Sequence, residues 1–276
     1  MKLFFRQKMM VSCLLLNIII LVGCAAPKVV SQWPVEVIQT NGSDDEWRGT
    51  PQYHDEKKHI VVRVMNDSEI LYVCFSANDP ELKRKLIMTG LTLWIDPEGG
   101  KNKKYGIRLL VKSPQPPPEF SKEDRDSSRK RKPPSLKMPE RLELIHPDTS
   151  GPLIMNIEKS KSSGVEIGVG QPNGRLVYEY KIKMKGENVI FALDTVPYMG
   201  IGIESGKIDM GEMKRKGRSK GGPMSKSGGG GGSFERRGGM KGPGGRGSGH
   251  SDFKRMGEPL EVWLKVEIAQ KTSLDF

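Results

Sequence analysis

The sequence predicts an all-β protein, a single antiparallel β-sandwich of jelly-roll-like type, and three observations predict it. Roughly ten short runs alternate apolar and polar side chains with the period of two that sends them to opposite faces of a strand. Turn signals rich in Gly, Pro, Asn and Asp separate the runs, and no long amphipathic helix interrupts them. The clearest hairpin is residues 90–108, GLTLWIDPEGGKNKKYGIR. Leu91, Leu93 and Ile95 alternate with Thr92, Trp94 and Asp96, Pro97, Gly99 and Gly100 reverse the chain, and 105–111 resumes an extended pattern.

Before the strands comes a leader. Lys2, Arg6 and Lys8 precede a nearly continuous apolar run at 9–23, with no acidic residue before Glu36. At roughly 15 residues the run is shorter than the ~20 of a bilayer span and reads as a secretory signal. It ends in Leu21, Val22, Gly23 and Cys24, which resembles the bacterial lipoprotein signal, with residues 1–23 as signal peptide and 24–32 as lipidated tether. That resemblance implies diacylation of Cys24 and a membrane partner through the N-terminal lipid, two acyl chains being enough for stable anchoring. Ala25 and Ala26 lack the aspartate that favours inner-membrane retention, so the expected location is the cell envelope, at the outer membrane of a Gram-negative-type bacterium. Cys13 leaves with the signal and Cys24 is taken by lipid. Cys74 alone remains, unable to form an internal disulfide and placed within an apolar run as a small buried hydrophobe.

The sandwich is expected over 33–269. Residues 33–38 read as mildly extended, and NGSDDEW at 41–47 as a turn or short capped element in which Trp47 plugs an end of the sandwich. Residues 60–65 and 70–76 form a hairpin around Asn66 and Asp67, and 79–85 make one helical turn. Later strands fall at 141–145, 153–157, 165–169 and 176–184. In the last of these Leu176, Tyr178, Tyr180, Ile182 and Met184 face a core, while Glu179, Lys181 and Lys183 face water. In the strand at 198–205 Gly200 and Gly202 share a face without side chains, so another group packs close there or the strand bends. Residues 260–268 close the domain, alternating Leu260, Val262, Leu264, Val266 and Ile268 with Glu261, Trp263, Lys265 and Glu267.

Two low-complexity insertions break the pattern. Residues 112–140 are rich in Pro and charge and read as a solvated excursion. Residues 205–258 carry thirteen Lys or Arg against five Asp or Glu and a five-glycine run, which accounts for most of the net charge of +12. Their candidate partner is an anionic surface, lipid head groups or acidic polysaccharide, with a plain solvated loop as the alternative. Arg-Gly steps such as Arg237-Gly238 resemble RNA-binding tails, but an exported chain is not expected to meet nucleic acid. A long loop before the last strand is tolerable, because closure cost rises by only about 0.6 kcal/mol per doubling of length.

In order along the chain, NGSDDEW, IVVRVMNDSEILYVCFSANDP, GLTLWIDPEGG, YGIR, GRLVYEYKIKM, GIGIESG and EVWLKVEI resemble the domains related to family 9 carbohydrate-binding modules and the wider group of DOMON-like sandwiches. Asn41 departs from the aspartate that usually opens the first of these motifs. The resemblance implies a β-sandwich that binds sugars by aromatic stacking, and some related sandwiches bind haem. Trp94, Asp96 and Trp263 are the candidate ligand residues: each tryptophan lies on the polar face of its strand beside hydrogen-bonding neighbours, as a pyranose requires. The alternative is that these tryptophans are packed between the sheets or under a loop. Asp44, Asp45, Glu46 and Asp67 offer oxygen ligands of the kind Ca²⁺ takes, with ordinary turns as the alternative. His54, His59 or a methionine are the candidates for a haem iron, although no C-x-x-C-H attachment is present. No G-x-S-x-G, H-E-x-x-H or phosphate loop occurs, and His54, His59, His146 and His250 lack a matching nucleophile or ligand spacing. The expectation is a non-catalytic envelope lipoprotein that binds a glycan or similar ligand. A structural or assembly lipoprotein and a haem-binding redox module stand as alternatives.

Overall fold

The computed structural model describes residues 26–47, 49, 52–111, 139–186, 189–191, 193, 196–207 and 258–270. Their strands are β1 (Lys28–Val30), β2 (Gln52–Asp55), β3 (Ile60–Asn66), β4 (Ile70–Ala77), β5 (Leu91–Asp96), β6 (Tyr105–Leu110), β7 (Arg141–Ile145), β8 (Leu153–Asn156), β9 (Val165–Gly170), β10 (Leu176–Lys183), β11 (Tyr198–Ser205) and β12 (Glu261–Glu267). A seven-stranded sheet runs β1-β12-β11-β5-β6-β7-β8 and a five-stranded sheet runs β2-β3-β4-β10-β9. Every pairing between these strands is antiparallel except β1 with β12. The chain is an all-β sandwich.

The alternation seen in the sequence builds the core directly. Leu91, Leu93 and Ile95 of β5, with Met199, Ile201 and Ile203 of β11, meet Val73 and Phe75 of β4 and Tyr178 and Tyr180 of β10 in one continuous apolar cluster. Burial of such side chains contributes about 25 cal/mol per Å² of apolar surface removed from water. Each insertion sits in the loop of a hairpin, because the strands flanking it are neighbours: Leu110 of β6 pairs with Arg141 of β7, and Glu204 of β11 with Glu261 of β12. The insertions themselves fall almost wholly outside the described residues, as do the signal and Cys24.

Four expectations change. Lys28–Val30, read as tether, is a strand: Lys28 pairs with Lys265 and Val29 enters the core, so the ordered domain starts well before residue 33. Three residues are too few to show a period. Gln52–Asp55, which carried no strand signal, pairs with β3. The single helical turn at 79–85 is a ten-residue helix, α1 (Pro80–Thr89), capped by Asp79, which accepts from the Leu82 amide at 2.7 Å. Its apolar seam is narrow, Leu82 and the fully buried Leu86 one turn apart, and so the polar composition hid it. Finally, Trp47 does not plug an end of the sandwich. It lies on the outer face of the five-stranded sheet, in a second apolar cluster with Ile38, Met65, Tyr72, Cys74 and Val177.

That outer cluster is covered by a strap, residues 38–47. The strap crosses β9, whose sequence VEIGVG puts Val165, Ile167 and Val169 in the core and leaves Gly168 and Gly170 facing out. A β-carbon on Gly168 would lie 2.6 Å from the Thr40 carbonyl, and one on Gly170 would strike the Gly42 backbone. The strap ends in a 3-10 turn, Asp45–Trp47, which delivers the Trp47 indole onto β10.

Candidate functional site

On the outer face of the seven-stranded sheet the residues out of phase with the core form one row. Gly202 of β11 pairs with Trp94 of β5 on one side and with Trp263 of β12 on the other. Both indoles lie down over glycines. A β-carbon on Gly202 would sit 2.8 Å from the Trp263 ring, and one on Gly106, which pairs with Trp94, would sit 2.7 Å from the Trp94 ring. The glycines expected to mark a close approach therefore do so, and Gly200 is likewise covered by the carbonyl of Gly100 in the β5–β6 turn.

The two indoles are joined by charge. Trp94 Nε1 donates to Glu204 Oε2 at 2.7 Å, and Trp263 Nε1 donates to Glu261 Oε1 at 3.1 Å. Lys103 bridges the carboxylates, with Nζ 2.9 Å from Glu204 and 3.0 Å from Glu261, and its ammonium stands 5.9 Å from the centroid of the Trp94 ring. Burial pulls the Lys103 ammonium down, but the two carboxylates outweigh it and its pKa is raised. The hydrogen bonds from Lys103 and Trp263 lower the pKa of Glu261. In all, the row is a pair of indoles edged by two carboxylates and one cation, and both indoles are buried, Trp94 6% and Trp263 8% exposed.

Trp94 and Trp263 are thus brought together on one face. Asp96 stands apart from them. Its carboxylate is buried inside the β5–β6 turn, where Oδ1 accepts from the Glu98 amide at 3.1 Å and Oδ2 from the Asn102 amide at 2.8 Å. It shapes the loop that carries Lys103. Sequence reasoning missed Glu204 and Lys103. Glu204 was legible, since it shares the outward phase of Gly200 and Gly202, whereas nothing in a lysine-rich turn marks which ammonium folds back.

A second polar cluster lies under the strap. Glu179, expected to face water, is fully buried: Trp47 Nε1 donates to it at 2.8 Å and the Gly42 amide at 2.6 Å. Burial pushes its carboxyl up to about 7, against those hydrogen bonds, which pull it down. The folded pKa lies above the ordinary 4.5, so this group's stabilising contribution is present below pH 4.5 and is lost as pH rises through about 7. Thermal melts across that range should show the midpoint falling with pH by more in the parent chain than in Glu179→Gln. Equal slopes would remove Glu179 as the cause. Cys74, paired with Glu179 across the sheet, is buried and its thiol is pushed far up, as a small hydrophobe rather than a reactive group.

Two of the oxygen ligands considered for Ca²⁺ have partners within the fold. Asp44 pairs with Arg175 at 2.7 Å and Arg63 at 3.4 Å, and Asp67 accepts the Glu69 and Ile70 amides at 2.7 Å. Among the described residues no three His, Cys, Asp or Glu side chains are grouped to hold a metal ion. Asn41, the departure from the family's aspartate, is used as an amide: it accepts from the Ser43 amide at 2.7 Å and donates to Glu46 at 3.1 Å, a bond an aspartate could not make.

Fold and face together define a two-sheet β-sandwich with a tryptophan–carboxylate row on one outer surface. Among solved structures the chain is similar to a carbohydrate binding module family 9 from Caldicellulosiruptor kristjanssonii in complex with cellotriose, at 10% sequence identity and a TM-score of 0.34, over 67% of this chain and 78% of that chain. No protein-family model and no curated protein matches the chain.

Proposed function

We propose that the protein is a lipid-anchored, non-catalytic envelope protein whose sandwich binds a glycan or similar envelope ligand on the outer face of the seven-stranded sheet. The observation that supports this reading is the Trp94–Glu204–Lys103–Glu261–Trp263 network. A sugar ring presents C–H groups to an indole face and hydroxyls to carboxylates, and this row brings two indoles, nearly buried until the cover over them moves aside, next to two carboxylates. Lys103 is the group a ring ligand displaces. Its half-exposed ion pairs are worth about 0–1 kcal/mol, so exchange for ligand hydroxyls costs little.

The test has two arms. Titration of the full chain with a glycan panel should find a binder whose affinity falls about tenfold or more in Trp94→Ala and in Trp263→Ala. Incorporation of a tagged palmitate should be lost in Cys24→Ala. If the intact protein binds no glycan, the reading fails and the sandwich is left as an assembly module that contacts protein. If label persists in Cys24→Ala, the anchor is misplaced.

A further inference from the structure

We infer that the end of the sandwich where β3 turns into β4 holds a ligand site apart from the outer face, shaped for one neutral polyol ring such as a single pyranose unit. A cavity of about 240 Å³ opens there, and Trp33, Asp67, Ser68, Met184, Leu193 and Ile268 are among its lining.

Trp33 sets this place apart from the other tryptophan sites. The indole N–H groups of Trp47, Trp94 and Trp263 donate to Glu179, Glu204 and Glu261. Trp33, half-buried and lining the cavity, has no hydrogen-bond partner among the described residues. An indole at a cavity with an open donor provides both an apolar plane and a directional contact.

The cavity is held open by the fold before any ligand arrives. Asn66 is buried, and its Oδ1 accepts from Ser31 Oγ and from the Ala269 amide at 3.0 Å, while its Nδ2 donates to the carbonyls of Asp67 and Ala269 at 3.1 and 3.0 Å. One side chain thereby ties the exit of β1, the β3–β4 turn and the chain beyond β12. The Met184 amide donates to the Glu69 carbonyl at 2.6 Å and the Ile268 amide to the Pro197 carbonyl at 3.0 Å, which fixes the remaining walls. A preformed cavity spares a ligand the cost of ordering loops.

Size and chemistry narrow the ligand. The volume is below the roughly 300–1,000 Å³ of sites for drug-sized molecules, which suits one ring rather than a chain. Met184, Leu193 and Ile268 present apolar surface. The Asp67 carboxylate is held by the Glu69 and Ile70 amides and by the Tyr72 hydroxyl at 3.2 Å, yet keeps lone pairs for a ligand hydroxyl. Among the described residues of the lining, Asp67 and Lys185 are the two charged side chains and are opposite in sign, which favours a neutral guest.

The experiment is a ¹H–¹⁵N titration of the full chain in detergent micelles, following the indole resonances assigned by Trp→Phe variants. Methyl α-glucopyranoside and N-acetylglucosamine are added into the millimolar range. One of them should move the Trp33 resonance and leave those of Trp94 and Trp263 in place, and Trp33→Ala should weaken that binding about tenfold or more. Trp33 lies outside any strand or helix, so this variant should still fold, which the other indole resonances report. Movement of Trp94 and Trp263 alone puts the sugar on the outer face and overturns this site without touching the proposed function. No movement with either sugar overturns it, as does a Trp33 response to hexanol but to neither sugar, which makes the cavity an apolar one.

Discussion

Replacing Trp47 with alanine should destabilise the sandwich by about 3–5 kcal/mol, the range for large aromatic residues removed from a packed site. Trp47 is fully buried, so its loss opens a void among Ile38, Met65, Tyr72, Cys74 and Val177. It also deprives the buried Glu179 carboxylate of its indole donor, leaving it to backbone amides of the strap, Gly42 at 2.6 Å among them. For a domain of this size each kcal/mol moves the melting midpoint by about 2–4 °C, so calorimetry should record a fall of roughly 6–20 °C. Trp47→Phe keeps part of the packing, loses the N–H and part of the ring volume, and should fall in between. A change below about 1 kcal/mol in Trp47→Ala would mean that the strap does not hold the outer face of the five-stranded sheet.

Gly170→Ala is the second large effect, and it acts on the same strap from beneath. The added carbon would strike the Gly42 carbonyl oxygen and lie 2.8 Å from the Gly42 carbonyl carbon. Backbone cannot swing aside as a side-chain tip can. Either β9 or the strap must move, at a cost of roughly 1–3 kcal/mol or more. Gly151→Ala is the control, since a β-carbon there meets nothing within 4 Å, and its effect should stay within about 0.5 kcal/mol. Denaturant melts of the two variants decide the matter, and similar midpoints would show that the strap is not seated on Gly170. Combining Gly170→Ala with Trp47→Ala should cost less than the two added together, because both release one segment.

The strands were legible because their signal is local. β5, β7 and β11 begin and end where alternation and turn residues place them, and the core face of β10 carries the side chains its phase assigns. What alternation could not state is what covers the other face. Glu179 has the phase of a solvent-facing residue, yet a strap from more than 130 positions earlier lies on it. Trp94 and Trp263 have the phase of exposed residues, yet they settle onto Gly106 and Gly202 and are tied by Glu204, Lys103 and Glu261. Glycine on an outward position was the available clue in both sheets. A missing side chain makes room for a close neighbour but does not name it.

From the sequence alone follow the sandwich class, the order of most strands, the placement of both insertions in loops and the outward phase of Trp94 and Trp263. These depend on periods of two and on turn chemistry, which a chain carries residue by residue. The tertiary structure alone decided that Lys28–Val30 joins the sheet, that Asp96 serves its own turn, that Trp47 caps a face, and that Trp33 stands at a cavity with its N–H unpaired among the described residues. Each of these rests on contacts between distant segments. Pairing partners, cover and cavity walls exist only once the sheets have closed on each other, and no local pattern encodes which distant backbone will lie against a given face.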